Sequence, residues 1–136
     1  MKHAYSKVPT RWWLEPRFLK LKPETQRVLL AVWTAPETLL CGLTTASAPV
    51  LAQRLGMSNR AAQRHLVTLQ EASFLTIDAE SHLLWLHQFI EIQLGGLPSS
   101  SPAWLKNTET AVSGLPQTQM VARFREAYGI SQGGAP

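Results

Sequence analysis

The stretch from Ser47 to Leu75 contains two short helical patterns separated by a tight turn. The first pattern has a capping Ser47 and a first-turn Pro49, and it ends at Gly56, which can adopt the left-handed backbone that closes a helix. Ser58 can cap the second pattern. These signals predict a helix-turn-helix. We interpret the rest of the chain as the structure that supports the outward face of its second helix. The apolar stripes that would face the core are Val50, Leu51 and Leu55 in the first helix and Ala62, Leu66 and Leu69 in the second.

The second predicted helix also has a polar face that points away from the core. Arginine, asparagine and glutamine at the N-terminal half of such a helix carry donors and acceptors that match base edges in the major groove of DNA. We expect Arg60, Gln63 and Arg64 to contact bases, and Ser58 and Asn59 to position the helix on phosphate. The alternative is that these are ordinary solvated positions of a surface helix. The predicted DNA-binding residues are Ser58, Asn59, Arg60, Gln63, Arg64 and Val67, together with Lys2 and Lys7 near the N-terminus.

Two segments before this unit have helical or apolar character. Residues 23–34 predict a central buried helix, with proline in the first turn and Glu24 near the positive end of the helix dipole. Residues 11–19 are rich in aromatic and leucine side chains and predict a short helix or turn docked on the core. Within it, Trp12 is expected in the core, and the alternative is a stacking surface for a base or a partner.

Strand patterns lie on both sides of the predicted helix pair. The apolar run Leu39–Leu43 predicts a strand before it. After it, Phe74–Ile77 and His82–His87 are separated by a four-residue polar turn and predict a hairpin. A hairpin directly after a recognition helix is a wing. The pattern therefore predicts a mainly α fold with a small β-hairpin, a winged helix-turn-helix of the α+β class.

These residues resemble a known family. Residues 13–43 (WLEPRFLKLKPETQRVLLAVWTAPETLLCGL) and 51–93 resemble the amino-terminal winged-helix domains of phage and prophage replication initiator proteins, and residues 101–129 are similar to the helical extension that often follows them. Ser73 stands where these domains usually have glycine. The resemblance implies sequence-specific binding of double-stranded DNA in replication initiation or transcriptional control.

Charge is unevenly distributed along the chain. Residues 1–22 carry six basic side chains and one acidic side chain, whereas residues 23–93 carry four basic and six acidic ones. Phosphate neutralisation supplies most non-specific affinity for DNA. The predicted reader domain is not itself basic, so a DNA-binding function needs the N-terminal arm, with Lys2 and Lys7, or a dimer that doubles its arginines.

The predicted wing tip carries two acidic residues, Asp78 and Glu80. Carboxylates beside DNA phosphate would repel it. Either this turn is held away from the duplex, or Asp78 and Glu80 meet a basic protein partner. The second possibility defines the alternative function, a winged-helix module that acts as an adaptor or inhibitor of a host or phage protein complex.

The organisation predicted from these patterns has five parts. Residues 1–10 form a flexible basic leader, 11–93 the winged helix-turn-helix domain and 94–101 a linker. Residues 102–128 form two amphipathic helices with too few apolar residues for a core of their own, so they pack on the domain or on a second subunit as a homodimer. Residues 129–136 are predicted to be disordered.

Other function classes find little support in the sequence. A single cysteine, Cys41, excludes an internal disulfide and fits a buried apolar position in a reducing cytosol. The four histidines have no metal-ligand spacing, and no phosphate-binding glycine loop or nucleophile elbow is present. We therefore expect no enzyme activity, metal or cofactor. No apolar run is long enough for a membrane span, and we expect a cytoplasmic protein.

Overall fold

Residues 5–95 and 102–130 are described by the computed structural model. They form a mainly helical chain with one small antiparallel sheet, as the composition of helical and strand patterns predicts. In chain order the elements are a 3₁₀ helix (Thr10–Leu14), α1 (Pro16–Leu19), α2 (Pro23–Trp33), β1 (Leu43–Thr44), α3 (Ala48–Leu55), α4 (Asn59–Glu71), β2 (Leu75–Ile77), β3 (Leu84–Leu86), α5 (Phe89–Leu94), α6 (Pro102–Ser113) and α7 (Gln119–Tyr128).

Helix α2 lies in the centre of the first core. Its side chains Val28, Leu29 and Val32 are fully buried because their spacing places them on the faces of the helix that meet α3 and α4. Pro23 occupies the first turn, where its missing N–H costs nothing. The predicted helix over residues 23–34 is confirmed, with its end one residue earlier.

The aromatic segment before α2 is only partly buried. Trp12 is buried and packs at 5.4 Å on Phe18 and edge-on at 4.9 Å against Trp33, so its predicted core position is confirmed. Its neighbour Trp13 is 64% exposed, and Leu14 and Leu19 are 83% and 51% exposed. The expectation that the whole segment docks on the core is therefore wrong for these three side chains. A short 3₁₀ turn followed by a four-residue helix has only one inward side, and Trp12 and Phe18 occupy it.

Helices α3 and α4 are joined by the predicted turn. Gly56 has φ +69° and ends α3, and the Ser58 side chain accepts a hydrogen bond from the Ala61 backbone N–H at 3.1 Å, which caps α4. The inward stripes fall as predicted, since Leu51, Leu66 and Leu69 are buried in the first core. Both helices and their capping residues could thus be predicted from local signals.

The sheet has the order β1-β3-β2, with both pairs antiparallel. Successive residues of a strand point to opposite faces. Leu84 and Leu86 of β3 therefore enter the first core, whereas Trp85 between them faces a second core on the other side of the sheet. The sheet separates α4 from the C-terminal helices.

The strand predicted at Leu39–Leu43 is shorter and lies further along the chain, at Leu43–Thr44. Most of that run forms a turn, in which the Leu39 carbonyl accepts a hydrogen bond from the Gly42 N–H at 2.8 Å, and only Leu43 belongs to β1. Gly42 has φ +94°, and a Cβ atom at this position would lie 2.9 Å from the Phe89 Cβ. An apolar run looks alike in a strand and in a buried turn, so periodicity alone could not separate the two.

Ser73, directly after α4, has φ +67°. This left-handed conformation favours glycine, and it strains a side chain with a Cβ atom. We expect Ser73→Gly to raise the free energy of unfolding by about 0.5–1 kcal/mol, measured from the urea midpoint. Gly56→Ala is the matched control, since Gly56 has a similar φ with no heavy atom within 4 Å of an added Cβ. It should change stability in the opposite direction, and a less stable Ser73→Gly protein would contradict the strain argument.

Helix α5 was not predicted, and it holds the N-terminal segment in place. Gln93 accepts a hydrogen bond from the Lys7 backbone N–H at 2.7 Å, and the Lys7 carbonyl accepts bonds from Gln93 and from the Trp33 indole, both at 2.8 Å. Pro9 is buried. Residues 5–10, predicted as part of a flexible leader, are therefore attached to the fold by backbone contacts that the sequence does not signal. Lys2 lies outside the described residues.

Helices α6 and α7 pack on the second face of the sheet. Their inward side chains form the second core with β1, β3 and α5, and Phe124 contacts Trp85 edge-on at 5.4 Å. The extension thus covers its apolar face within its own chain. Tyr128 also donates a hydrogen bond to Glu91 of α5 at 2.8 Å, and the combination of burial and this carboxylate raises the pKa of Tyr128. Buried members of this core are Cys41, Leu43, Leu83, Ile90, Trp104, Val112, Met120, Val121, Phe124 and Ile130.

The predicted segment boundaries partly fall outside the described residues. The linker was placed at 94–101, but Leu94 and Gly95 end α5, and residues 96–101 are not described. The predicted disordered tail begins at residue 129, yet Gly129 ends α7 with φ +67° and Ile130 is buried. Residues 131–136 lie outside the described part.

Candidate nucleic-acid interface

The outer face of α4 is open to solvent along its N-terminal half. Asn59, Arg60, Gln63 and Arg64 are exposed, and Val67 is 37% exposed one turn further along. This face points outward because Ala62, Leu66 and Leu69 fix the opposite side of the helix in the first core. On a neighbouring face, His65 Nδ1 lies 2.9 Å from the Thr25 hydroxyl of α2, which fastens α4 at its middle.

A groove of about 670 Å³ runs between this face and the β2–β3 hairpin. The α4 side contributes Asn59, Arg60, Gln63 and Arg64, and none of the described residues that line the groove is acidic. The α4 side is therefore cationic and rich in hydrogen-bond donors. The remaining lining residues are Ser47, Ala48 and Pro49 at the start of α3, Leu66, and Ile77, Ser81, His82 and Leu84 of the hairpin.

Arg60 and Arg64 differ from several arginines elsewhere in the described chain. Arg11 and Arg17 bind Glu15, Arg27 binds Glu24, and Arg54 binds Glu37. Within the described residues no ion pair of this kind involves Arg60 or Arg64. Their guanidinium groups can therefore bind a ligand without first breaking a salt bridge.

Ser58 has a second role that limits its use as a phosphate contact. Its hydroxyl oxygen already accepts the Ala61 N–H and its carbonyl accepts the Ala62 N–H, so the hydroxyl hydrogen is the side-chain group that it can still donate to a phosphate. Lys7 has an exposed side chain, but it lies beside α5 and does not line the groove. Of the predicted site residues, the structure brings together those of α4 and leaves Lys7 apart.

Asp78 does not lie where the sequence placed it. It is 5% exposed, and its carboxylate accepts hydrogen bonds from the Glu80 backbone N–H at 3.1 Å, from the Ser81 hydroxyl at 2.6 Å and from the Thr118 hydroxyl. The expectation of an exposed wing-tip carboxylate is therefore wrong for Asp78. Glu80 remains exposed.

Two opposing effects act on the Asp78 carboxyl. Burial favours its neutral form, but the hydrogen bonds from Ser81, Thr118 and the turn backbone together outweigh burial and lower the pKa of Asp78 below its usual value. Thr118 is the capping residue of α7, where its oxygen also accepts the Val121 N–H. The Asp78–Thr118 contact thus ties the hairpin turn to the start of α7.

The sequence did not single out the hairpin side of the groove. His82 has φ +64° and is exposed at its edge, next to the half-buried Ser81. The signal that could have found them is the polar turn itself, since Ser81 and His82 at the end of this turn line the same groove as α4. His87, by contrast, places both ring nitrogens near protein oxygens, Nε2 at 2.7 Å from the Thr76 hydroxyl and Nδ1 at 3.0 Å from the Ser73 carbonyl.

The described residues contain no cluster of three or more histidine, cysteine, aspartate or glutamate side chains suited to a metal ion. Among them, no helix has the length and apolar character to span a membrane. Cys41 is buried, which raises its pKa to about 11 and leaves it a thiol at neutral pH.

Comparison of the chain with protein-family models, curated proteins and solved structures found no match.

Proposed function

We propose that this protein binds double-stranded DNA sequence-specifically through a winged helix-turn-helix, in which α4 is the recognition helix and the β2–β3 hairpin is the wing. The observation that carries the proposal is the open face of Asn59, Arg60, Gln63 and Arg64 beside a groove whose described lining has no acidic residue. Arginine pairs in bidentate fashion with guanine, and asparagine and glutamine pair with adenine. The face therefore carries the side chains that direct readout of the major groove requires.

The position of the C-terminal helices favours this function. They pack on the face of the sheet that carries Trp85, whereas α4 packs on the face that carries Leu84 and Leu86. A duplex at the outer side of α4 would therefore meet no part of the second core. Had α6 or α7 covered Arg60 and Arg64, a protein-docking function would be the better proposal.

The buried state of Asp78 also supports the DNA-binding proposal. The carboxylate is directed toward Ser81 and Thr118 and is enclosed by their hydroxyl groups. The hairpin can therefore approach phosphate with Ser81 and His82, while Glu80 is the acidic side chain of the turn that remains exposed. The alternative function, a protein-interaction module recognised through Asp78 and Glu80, loses one of its two charges.

We further propose, from the family resemblance, that the DNA site belongs to a phage or other mobile element and acts in replication initiation or transcriptional control. Homodimerisation through residues 102–128 would have to use their outer side, since the apolar side chains of α6 and α7 lie in the second core. A dimer would bring two copies of Arg60 and Arg64 to one duplex. The doubled arginines would compensate for the excess of acidic over basic side chains in residues 23–93.

Selection of bound DNA from a randomised pool at physiological salt tests the proposal. We expect one motif to be enriched, because each bidentate side chain discriminates between bases by about 1–3 kcal/mol. A palindromic motif would show that two copies bind together, and a single half-site would show that one copy suffices. Absence of any enriched motif would contradict sequence-specific binding.

A further inference from the structure

Three large apolar side chains that are close in the chain, near the N-terminal end of the fold, are each exposed. Trp13, Leu14 and Leu19 are 64%, 83% and 51% exposed and lie within seven residues of the chain. Single exposed leucines need no explanation, but an exposed tryptophan with two exposed leucines within the same seven residues is the kind of apolar surface that marks an interaction site. We call these three residues the Trp13 patch.

The Trp13 patch is held on a rigid support. Phe18 is buried beneath it and meets the Trp13 ring edge-on at 5.3 Å. Arg17 donates to the Ser73 carbonyl at 3.2 Å and lies 4.1 Å from the centre of the Phe74 ring. Because the support is ordered before any partner arrives, binding there would cost little conformational entropy.

The surroundings of the Trp13 patch are basic. Lys20 and Lys22 follow it directly and are exposed, and no described salt bridge includes either of them. Glu15, the acidic residue of residues 11–22, is already bound by Arg11 at 3.2 Å and by Arg17 at 3.0 Å. The local charge therefore favours a partner that is acidic as well as apolar.

We propose that the Trp13 patch is a docking site for an acidic amphipathic peptide segment of another protein, with aliphatic or aromatic anchors against Trp13, Leu14 and Leu19 and carboxylates toward Lys20 and Lys22. A second copy of this chain is disfavoured, because a symmetric contact would bring the lysines of both copies together. A membrane surface is disfavoured too, because α1 has four residues and cannot form the long apolar face of an interfacial helix.

This site goes beyond the proposed DNA-binding function and is separate from it. Arg17 fastens the patch to Ser73, just after the C-terminal end of α4, whereas Arg60 and Arg64 lie in the N-terminal half of that helix. At a rise of about 1.5 Å per residue, Ser73 lies roughly 14 Å along the helix axis from Arg64 and roughly 20 Å from Arg60. Both surfaces could be occupied at once, so the protein would connect a DNA site to a protein partner.

Selection from a displayed library of random peptides tests the proposal with the full chain as bait. We expect enrichment of peptides that combine aspartate or glutamate with leucine or aromatic residues, and we expect Leu14→Ser to lower their affinity by at least about tenfold. Leu40→Ser is the matched control, since Leu40 is 42% exposed and lies outside the patch. Because Leu14 is 83% exposed, its substitution should leave the thermal unfolding temperature unchanged.

Two further measurements complete the test: peptide binding after charge reversal of Lys20 and Lys22, and binding of the protein to lipid vesicles. The double variant Lys20→Glu/Lys22→Glu should weaken the same peptides by about tenfold at low salt, and by less at high salt. Three results would overturn the proposal: no peptide whose binding depends on Leu14, enrichment of basic or uncharged peptides, or Leu14-dependent binding to vesicles of anionic lipid in preference to the selected peptides. None of these readouts depends on DNA, so failure of this proposal and failure of DNA binding are distinguishable.

Discussion

Replacing both Arg60 and Arg64 by alanine should lower the affinity for the selected DNA site by at least about 30-fold. Each side chain is exposed at the groove and free of a described salt bridge, so its loss would remove the proposed base contacts without breaking a described ion pair. A bidentate arginine contributes about 1–3 kcal/mol of discrimination, and 1.4 kcal/mol is a factor of ten in affinity. Fluorescence anisotropy with labelled duplex at fixed physiological salt measures the change.

The control for this variant removes the same charge from another surface. Lys106 and Arg123 are exposed on α6 and α7, so Lys106→Ala/Arg123→Ala also lowers the net charge by two. We expect it to weaken all duplexes slightly and to leave the preferred motif unchanged. The single variant Arg64→Ala should relax the preference at one position of that motif. If both double variants lost affinity equally on specific and random DNA, α4 would not read the sequence.

Local signals were sufficient for the part of the site that lies on α4. Gly56 ends α3 in a left-handed conformation, and Ser58 caps α4 through a hydrogen bond to a residue only three positions away. The buried apolar stripe of α4 then determines which of its residues face outward. The open face of Arg60 and Arg64 could therefore be predicted from the sequence. The sequence predicts that β2 and β3 form a hairpin, but it does not predict their register. The residue pairs depend on the geometry of the turn that joins the two strands.

Longer-range contacts explain what could not be predicted. Trp12 and Trp13 are adjacent and chemically identical, and Trp12 is the one that is buried because Trp33 and Phe74 pack against its ring. The backbone of Lys7 is held by Gln93, 86 residues away, which no local pattern reveals. Burial of Asp78 depends in the same way on Thr118, 40 residues further along the chain.

The contact between Asp78 and Thr118 should therefore have a large effect on stability. Asp78→Ala removes an acceptor from the Ser81 and Thr118 hydroxyls and from the Glu80 N–H in a buried turn, and we expect it to lower the free energy of unfolding by about 3 kcal/mol. The corresponding loss in thermal unfolding temperature is roughly 10 °C for a chain of this size. Thr118→Val should be destabilising too, whereas Thr118→Ser keeps the hydroxyl that both donates to Asp78 and caps α7 and should resemble the wild type.

The pH dependence of unfolding distinguishes the contribution of the Asp78 negative charge to stability from the contribution of its hydrogen-bonding shape. Because the pKa of Asp78 is lower in the folded protein than in the unfolded chain, its ionised form stabilises the fold fully above the unfolded value of about 3.9. That stabilisation is lost as the pH falls through the lower pKa of the folded protein. Asp78→Asn should therefore be less stable than the wild type at pH 7 and should lose less stability than the wild type on acidification through this range.

The same contact links the C-terminal helices to the proposed DNA surface. Ser81 and His82 line the groove from the turn that Asp78 holds, and Thr118 belongs to α7 on the other side of the sheet. Thr118→Val should thus weaken binding of the selected duplex by a fewfold although Thr118 does not line the groove, and Thr118→Ser should not. If Thr118→Val lowered stability but left affinity and motif unchanged, the hairpin would not contribute to DNA binding, and recognition would rest on α4 alone.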